Sequence, residues 1–213
     1  MKLPFQSKSL LFNDGHRNLE ITLPVNPDAV FDTITEEQYA KDKFLPYWAE
    51  LWPSTDLLLA YLNRHPIPDN FRICELGCGL GIISTSLALH HEFIVATDIA
   101  FHGCEFTAYN ILINGGTART VCTDWRHLPF HSGTFDLILA SDVLYEERWI
   151  SPLLQSTSQL SENGRLLIAD PCRRFWQLFK DEVKNYGLNQ RLLEHGTTVD
   201  GKMTVEILEV TKN

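Results

Sequence analysis

Apolar residues along this chain gather in short runs at nearly even intervals, and most of the runs close on an acid. The runs 72–76, 93–98, 119–124, 135–142 and 164–170 have the length and composition of strands. The segments between them, 81–90, 101–114, 146–161 and 173–186, have helical length, and the turn signals NGG (114–116), SENG (161–164) and YGLN (186–189) close three of them. The run 135–142 is apolar on both faces rather than alternating, which predicts a central parallel strand covered by helices on each side. Strand–helix alternation of this kind predicts a doubly wound, mostly parallel α/β sheet. Near the end, RLLEH (191–195) and KMTVEILEVTK (202–212) are joined through VDGK, a hairpin signal, so one terminal strand is expected to run antiparallel. At the other end, KSLLFNDGHRNLEITLP (8–24) predicts a hairpin around Asn13-Asp14-Gly15, and 28–41 reads as a polar helix. Residues 1–44 are thus expected to form a hairpin-and-helix extension, and residues 45–213 the α/β domain.

Composition removes several classes. A chain of 213 residues, 44% apolar and 21% charged, can fill one core with an extension. No apolar run approaches the roughly 18 residues of a membrane helix. The opening MKLPFQSKSLLFNDGH lacks the apolar region of a secretory signal, so no membrane partner and a cytoplasmic setting are expected. Cysteines 74, 78, 104, 122 and 172 show no CxxC spacing and read as reduced thiols. The histidines show no HExxH spacing, so no metal is expected, and His90-His91 reads as a solvated helix end. A net charge of −9 opposes nucleic acid as a partner and suits a neutral or basic one.

The candidate chemistry starts at FRICELGCGLGI (71–82), where Gly77, Gly79 and Gly81 alternate between a predicted strand and a predicted helix. A turn at the carboxyl end of a parallel strand is where α/β proteins bind a nucleotide-like cofactor, and glycine permits positive φ and close approach. About 20 residues later Asp98 ends the next strand, placed to accept hydrogen bonds from both ribose hydroxyls. The spacing is Glu75-x-Gly77-x-Gly79-x-Gly81 rather than the dinucleotide GxGxxG. A carboxylate aimed into the turn would repel a pyrophosphate but suits a cationic ligand. Too few residues follow 170 for the second domain that a nicotinamide dehydrogenase usually needs.

This spacing resembles motif I of class I S-adenosylmethionine (AdoMet) methyltransferases. Two further stretches, LPYWAELWPSTDLLLAYL (45–62) and SDVLYEE (141–147), narrow the likeness. With Trp48 and Trp52 before the first helix, Asp124-Trp125 after the third strand and Asp142-x-x-Tyr145 after the fourth, residues 45–171 resemble the seven-β-strand protein-lysine methyltransferases. The resemblance implies a Rossmann-like seven-stranded sheet, AdoMet as cofactor and a lysine-bearing protein as substrate. A small-molecule or other side-chain acceptor, and a non-catalytic AdoMet-fold scaffold, are the alternatives. Implied cofactor contacts are Trp52, Glu75, Gly77, Cys78, Gly79, Gly81, Asp98, Asp124, Trp125 and Ser141, with Asp124 on the adenine amino group and Trp125 packed on the ring. Asp142 and Tyr145 are the implied catalytic pair, Asp142 orienting the amine and Tyr145 offering it an aromatic face. Gly79→Val is expected to put a Cβ branch where the methionine part of the cofactor lies, and Ser54 reads as an N-cap. DPCRR (170–174) matches no pattern of the family, and nothing in the sequence fixes the oligomeric state.

Overall fold

The computed structural model describes residues 2–31 and 45–213. Strands β1 (Ser7–Asn13) and β2 (Asn18–Pro24) form the N-terminal hairpin, and α1 (Asp28–Phe31) follows; the rest of the helix predicted over 28–41 lies outside the described residues. Next come α2 (Ser54–Arg64), β3 (Ile73–Leu76), α3 (Ile82–Leu87), β4 (Ile94–Asp98), α4 (Phe101–Ile113), β5 (Arg119–Cys122) and β6 (Phe135–Ser141). They are followed by α5 (Ile150–Ser156), β7 (Leu160–Asp170), α6 (Trp176–Asn185), β8 (Leu188–Thr197) and β9 (Thr204–Lys212). The sheet order is β5-β4-β3-β6-β7-β9-β8, with β5 through β7 mutually parallel and β9 antiparallel to both neighbours. The chain works outward from β3 to β5, then returns to β6 on the other side of β3. That reversal opens a crevice at the carboxyl ends of β3 and β6, where ligands of doubly wound sheets bind.

Burial explains the order. Leu137, Ile138, Leu139 and Ala140 of β6 are fully buried, as a strand covered on both faces requires. One face packs on α5 and α6 with Trp125 and Trp149; the other packs on α2 and α3 together with Leu19 and Ile21 of β2. The N-terminal hairpin therefore shares the core of the α/β unit. Of the terminal pair, β9 carries the buried Val205, Ile207, Leu208 and Val210 and takes the inner place, while β8, with Gln190, Arg191, Glu194 and His195, takes the edge. Charged residues are how natural sheets blunt an edge.

Two details depart from expectation. SENG was expected to separate a helix from a strand; instead β7 runs through it, and the register with β6 jumps from Phe135↔Leu160 to Leu137↔Arg165. A Cβ at Gly164 would sit 3.0 Å from the Phe135 carbonyl oxygen, so the bulge needs glycine there. His90 is exposed as expected, but His91 is buried. All five cysteines are free, with Cys74, Cys78 and Cys104 buried and Cys122 and Cys172 exposed. Among the described residues no helix is long and apolar enough to cross a membrane, and no group of acids, histidines and cysteines is arranged to hold a metal ion.

Candidate active site

The turn after β3 is built on left-handed glycines: φ is +71° at Gly77, +52° at Gly79 and +73° at Gly81. A Cβ at Gly77 would lie 2.9 Å from Val143 and 3.0 Å from Trp125, so only glycine lets the turn pass between these walls. At Gly79 the added Cβ would meet the Trp48 carbonyl oxygen at 3.3 Å. The expectation for Gly79→Val is corrected accordingly: its Cβ points at Trp48 backbone rather than into open ligand space. At Gly81, which precedes α3, a Cβ would come within 2.5 Å of Thr107, so this glycine admits α4 against the turn.

Two carboxylates hold the turn. Asp98, buried at the end of β4, accepts the Gly79 N–H at 2.9 Å through Oδ2 and the Ala100 N–H at 2.8 Å through Oδ1. Glu75, buried within β3, accepts the Ser84 N–H at 3.0 Å and the Ser84 hydroxyl. Burial pushes the Glu75 carboxyl up to about 7, and it raises Asp98 as well. Both line one cleft, whose apolar walls include Ile99, Trp125, Val143 and Trp149.

The other side of the cleft is set by Asp142, a buried residue held at φ +59° just after β6. Its Oδ2 accepts the Ser54 N–H at 2.8 Å and the Ser141 hydroxyl at 3.1 Å, so it caps α2 from another element. The Ser54 side chain makes no capping bond, which corrects the reading of Ser54 as the cap. Arg173, after β7, donates to Asp142 Oδ1 at 2.6 Å and to the Asp142 carbonyl at 3.1 Å. The same guanidinium lies 5.0 Å from the centre of the Trp52 ring, within cation–π range. Burial raises the Asp142 carboxyl, and the Arg173 charge opposes that rise. Trp52 donates its indole N–H to the Tyr47 carbonyl at 2.7 Å, and Tyr47 packs on Tyr145 with ring centres 4.2 Å apart. Burial raises the Tyr145 phenol well above its ordinary range.

A cleft with glycine-lined backbone, two buried carboxylates and an indole wall fits AdoMet, whose ammonium, sulfonium, ribose hydroxyls and adenine need these partners. A profile of the family described as lysine methyltransferase matches residues 44–177. The chain belongs to this family. It is similar to the electron transfer flavoprotein beta subunit lysine methyltransferase of Danio rerio, 30% identical over 132 residues that cover 60% of this chain and 51% of that protein. It is also similar to a protein N-terminal and lysine N-methyltransferase of Eremothecium gossypii, 30% identical over 182 residues, covering 71% and 68% of the two chains. The chain thus spans about half the length of the Danio rerio relative, and 55% of a Mus musculus protein-lysine methyltransferase that it also matches. In fold it is similar to the AdoMet-bound crystal structure of magnesium protoporphyrin IX methyltransferase from Synechocystis, with a TM-score of 0.60 at 16% identity over 88% of this chain and 97% of that one.

In this chain the cleft gathers Trp52, Glu75, Gly77, Cys78, Gly79, Asp98, Trp125, Ser141, Asp142 and Tyr145. Two expected cofactor residues stand elsewhere. Gly81 packs on Thr107, as above, and Asp124 is turned to its own neighbour: it caps the turn Trp125–His127 by accepting the Arg126 N–H at 2.9 Å and pairs with the Arg126 guanidinium. Sequence reasoning missed Tyr47, Trp149 and Arg173. Tyr47 and Trp149 carry only an aromatic residue beside a motif as signal, and Arg173 only a basic pair after a strand-terminal acid.

Proposed function

We propose that this protein transfers a methyl group from AdoMet to the side-chain amine of a lysine in a protein substrate. The observation that carries this reading is a single cleft with buried carboxylates Glu75 and Asp98 at one side of the glycine turn and Asp142 among aromatic rings at the other. When bound, AdoMet supplies a methyl on a sulfonium, open to in-line displacement by an amine. Glu75 balances the cofactor's positive charge, and Asp98 accepts its ribose hydroxyls. Trp52, Tyr47 and Tyr145 exclude water from the incoming amine, which lowers its pKa from the ordinary 10.4 or so and favours the neutral nucleophile. Asp142 orients that amine by accepting its N–H. The net charge of −9 suits a lysine-bearing partner, and five free thiols support a reducing, cytoplasmic setting.

Radiolabelled AdoMet added with the protein to a cell lysate is expected to label protein bands that yield methyllysine on hydrolysis. Label confined to the low-molecular-weight fraction would move the acceptor to a small molecule. Equilibrium dialysis without AdoMet binding would leave only a scaffold.

Glu75 also makes binding depend on pH. With its carboxyl near 7 in the free protein, Glu75 is mostly protonated in mildly acidic solution, and a cationic ligand favours the ionised form. Binding therefore releases a proton below about pH 7, and affinity should rise with pH up to that point. Calorimetric titration is expected to show AdoMet binding about tenfold weaker at about pH 6 than at pH 7.5, and Glu75→Gln should flatten the profile. A flat wild-type profile would remove Glu75 from the cofactor's charge balance.

A further inference from the structure

Two asparagines, Asn110 on α4 and Asn114 just past its end, stand one helical turn apart on the same face, and each bonds one residue of β2 as a neighbouring strand would. Asn110, fully buried, accepts the Thr22 N–H at 2.8 Å and donates to the Thr22 carbonyl at 3.0 Å. Asn114, at the exposed end of the helix, accepts the Glu20 N–H at 2.9 Å and donates to the Glu20 carbonyl at 2.8 Å. The open edge of the hairpin is thereby paired by amide side chains. The two rungs differ in one respect: Asn110 donates its second amide proton to the Leu80 carbonyl in the glycine turn at 2.9 Å, whereas Asn114 donates to the Asn110 carbonyl at 2.8 Å. The preceding carbonyl of the turn, that of Gly79, accepts the Thr107 hydroxyl at 2.8 Å, from the same helix.

We propose that Asn110 is a positioning residue through which the N-terminal hairpin holds the 77–81 turn in its cofactor-binding shape. The hairpin is then part of the cofactor site. This rests on AdoMet binding at that turn. Gly79 is anchored by Asp98 at its N–H and by Thr107 at its carbonyl, but Leu80 is held by Asn110, whose amide has every proton committed. An amide buried this fully has no water to replace a lost partner, so truncating it frees the Leu80 and Thr22 carbonyls together.

The test compares Asn110→Ala with Asn114→Ala, which loses a hairpin rung but no contact to the turn. In calorimetric titration with AdoMet, Asn110→Ala is expected to bind about tenfold more weakly, and Asn114→Ala within about twofold of wild type. In methyl transfer, KM for AdoMet should rise in Asn110→Ala while kcat and KM for the protein acceptor hold. A general loss of stability would lower the active fraction without that split. If Asn110→Ala does not fold, Thr22→Pro deletes the N–H that reaches Asn110 on the hairpin side, and a drop in AdoMet affinity of about threefold is expected. Wild-type affinity in the folded variants, or equal losses in the Asn110 and Asn114 variants, would overturn the proposal. Wild-type protein that binds no AdoMet would overturn the cofactor assignment beneath it, a distinct result because no variant is needed to see it.

Discussion

Asp142→Asn is expected to fold, to bind AdoMet within about threefold of wild type, and to lose methyl transfer by about a hundredfold. Asparagine tolerates the left-handed backbone at this position and keeps an oxygen for the Ser54 N–H, so the cap on α2 survives. What disappears is the negative charge that meets Arg173 and that would orient the amine. Asp142→Ala removes more. Like asparagine it leaves the Arg173 guanidinium without its nearest carboxylate, and in addition it strips the cap from α2 and puts alanine at φ +59°, together a loss of stability of about 3 kcal/mol or more. Denaturant unfolding reads that loss, and single-turnover methyl transfer at saturating AdoMet reads the chemistry. Tyr145→Phe should fall less, because the ring keeps its packing on Tyr47. Full activity in Asp142→Asn, or a loss that follows a matching loss of AdoMet binding, would return Asp142 to a purely structural role as cap and ion-pair partner.

The largest effect on cofactor affinity should come from Asp98. Asp98→Ala removes a charged acceptor for the ribose hydroxyls, each such bond contributing about 1.5–3 kcal/mol, and it frees the Gly79 N–H at the same time. AdoMet affinity is therefore expected to fall by a hundredfold or more. Calorimetric titration of variant protein shown by circular dichroism to be folded measures this directly. Affinity within a few-fold of wild type would mean that the ribose lies elsewhere, and the assignment of this end of the cleft would fall with it.

The parts of this site that could be read from sequence are those whose pattern is local. Gly77 and Gly79 after an apolar run, Asp98 at the end of the next strand and Asp142 three residues before Tyr145 each belong to a local pattern, and the fold brings them to one cleft. Asp142 and Arg173 are 31 residues apart and Thr22 and Asn110 are 88 apart, so neither pairing leaves a spacing to detect. Asp124 shows the opposite case. Its place after β5 suggests a ligand, and Arg126, two residues on, pairs with its carboxylate, a local contact the spacing did not announce. Gly79 needed the path of the Trp48 backbone, which no periodicity fixes. Leu19 and Ile21, in the hairpin-and-helix extension expected over residues 1–44, fill the same core as α2 and α3, a packing of distant segments that leaves no local pattern. The edge and inner strands of the terminal hairpin could be told apart only through burial, since both runs are strand-like on their own.

Because β9 follows the other strands of the sheet in sequence yet lies between β7 and β8, the sheet is sealed from the inside by residues that leave the ribosome after those strands. Until residues 204–212 arrive, β7 has a bare edge carrying the apolar Leu166–Ala169 stretch, and β8 has no place in the sheet. The crevice strands β3 and β6 can pair well before this. A growing chain would therefore pass through a stage in which the cofactor end is assembled while a bare strand edge waits open, an edge of the kind that pairs with other chains until it is covered.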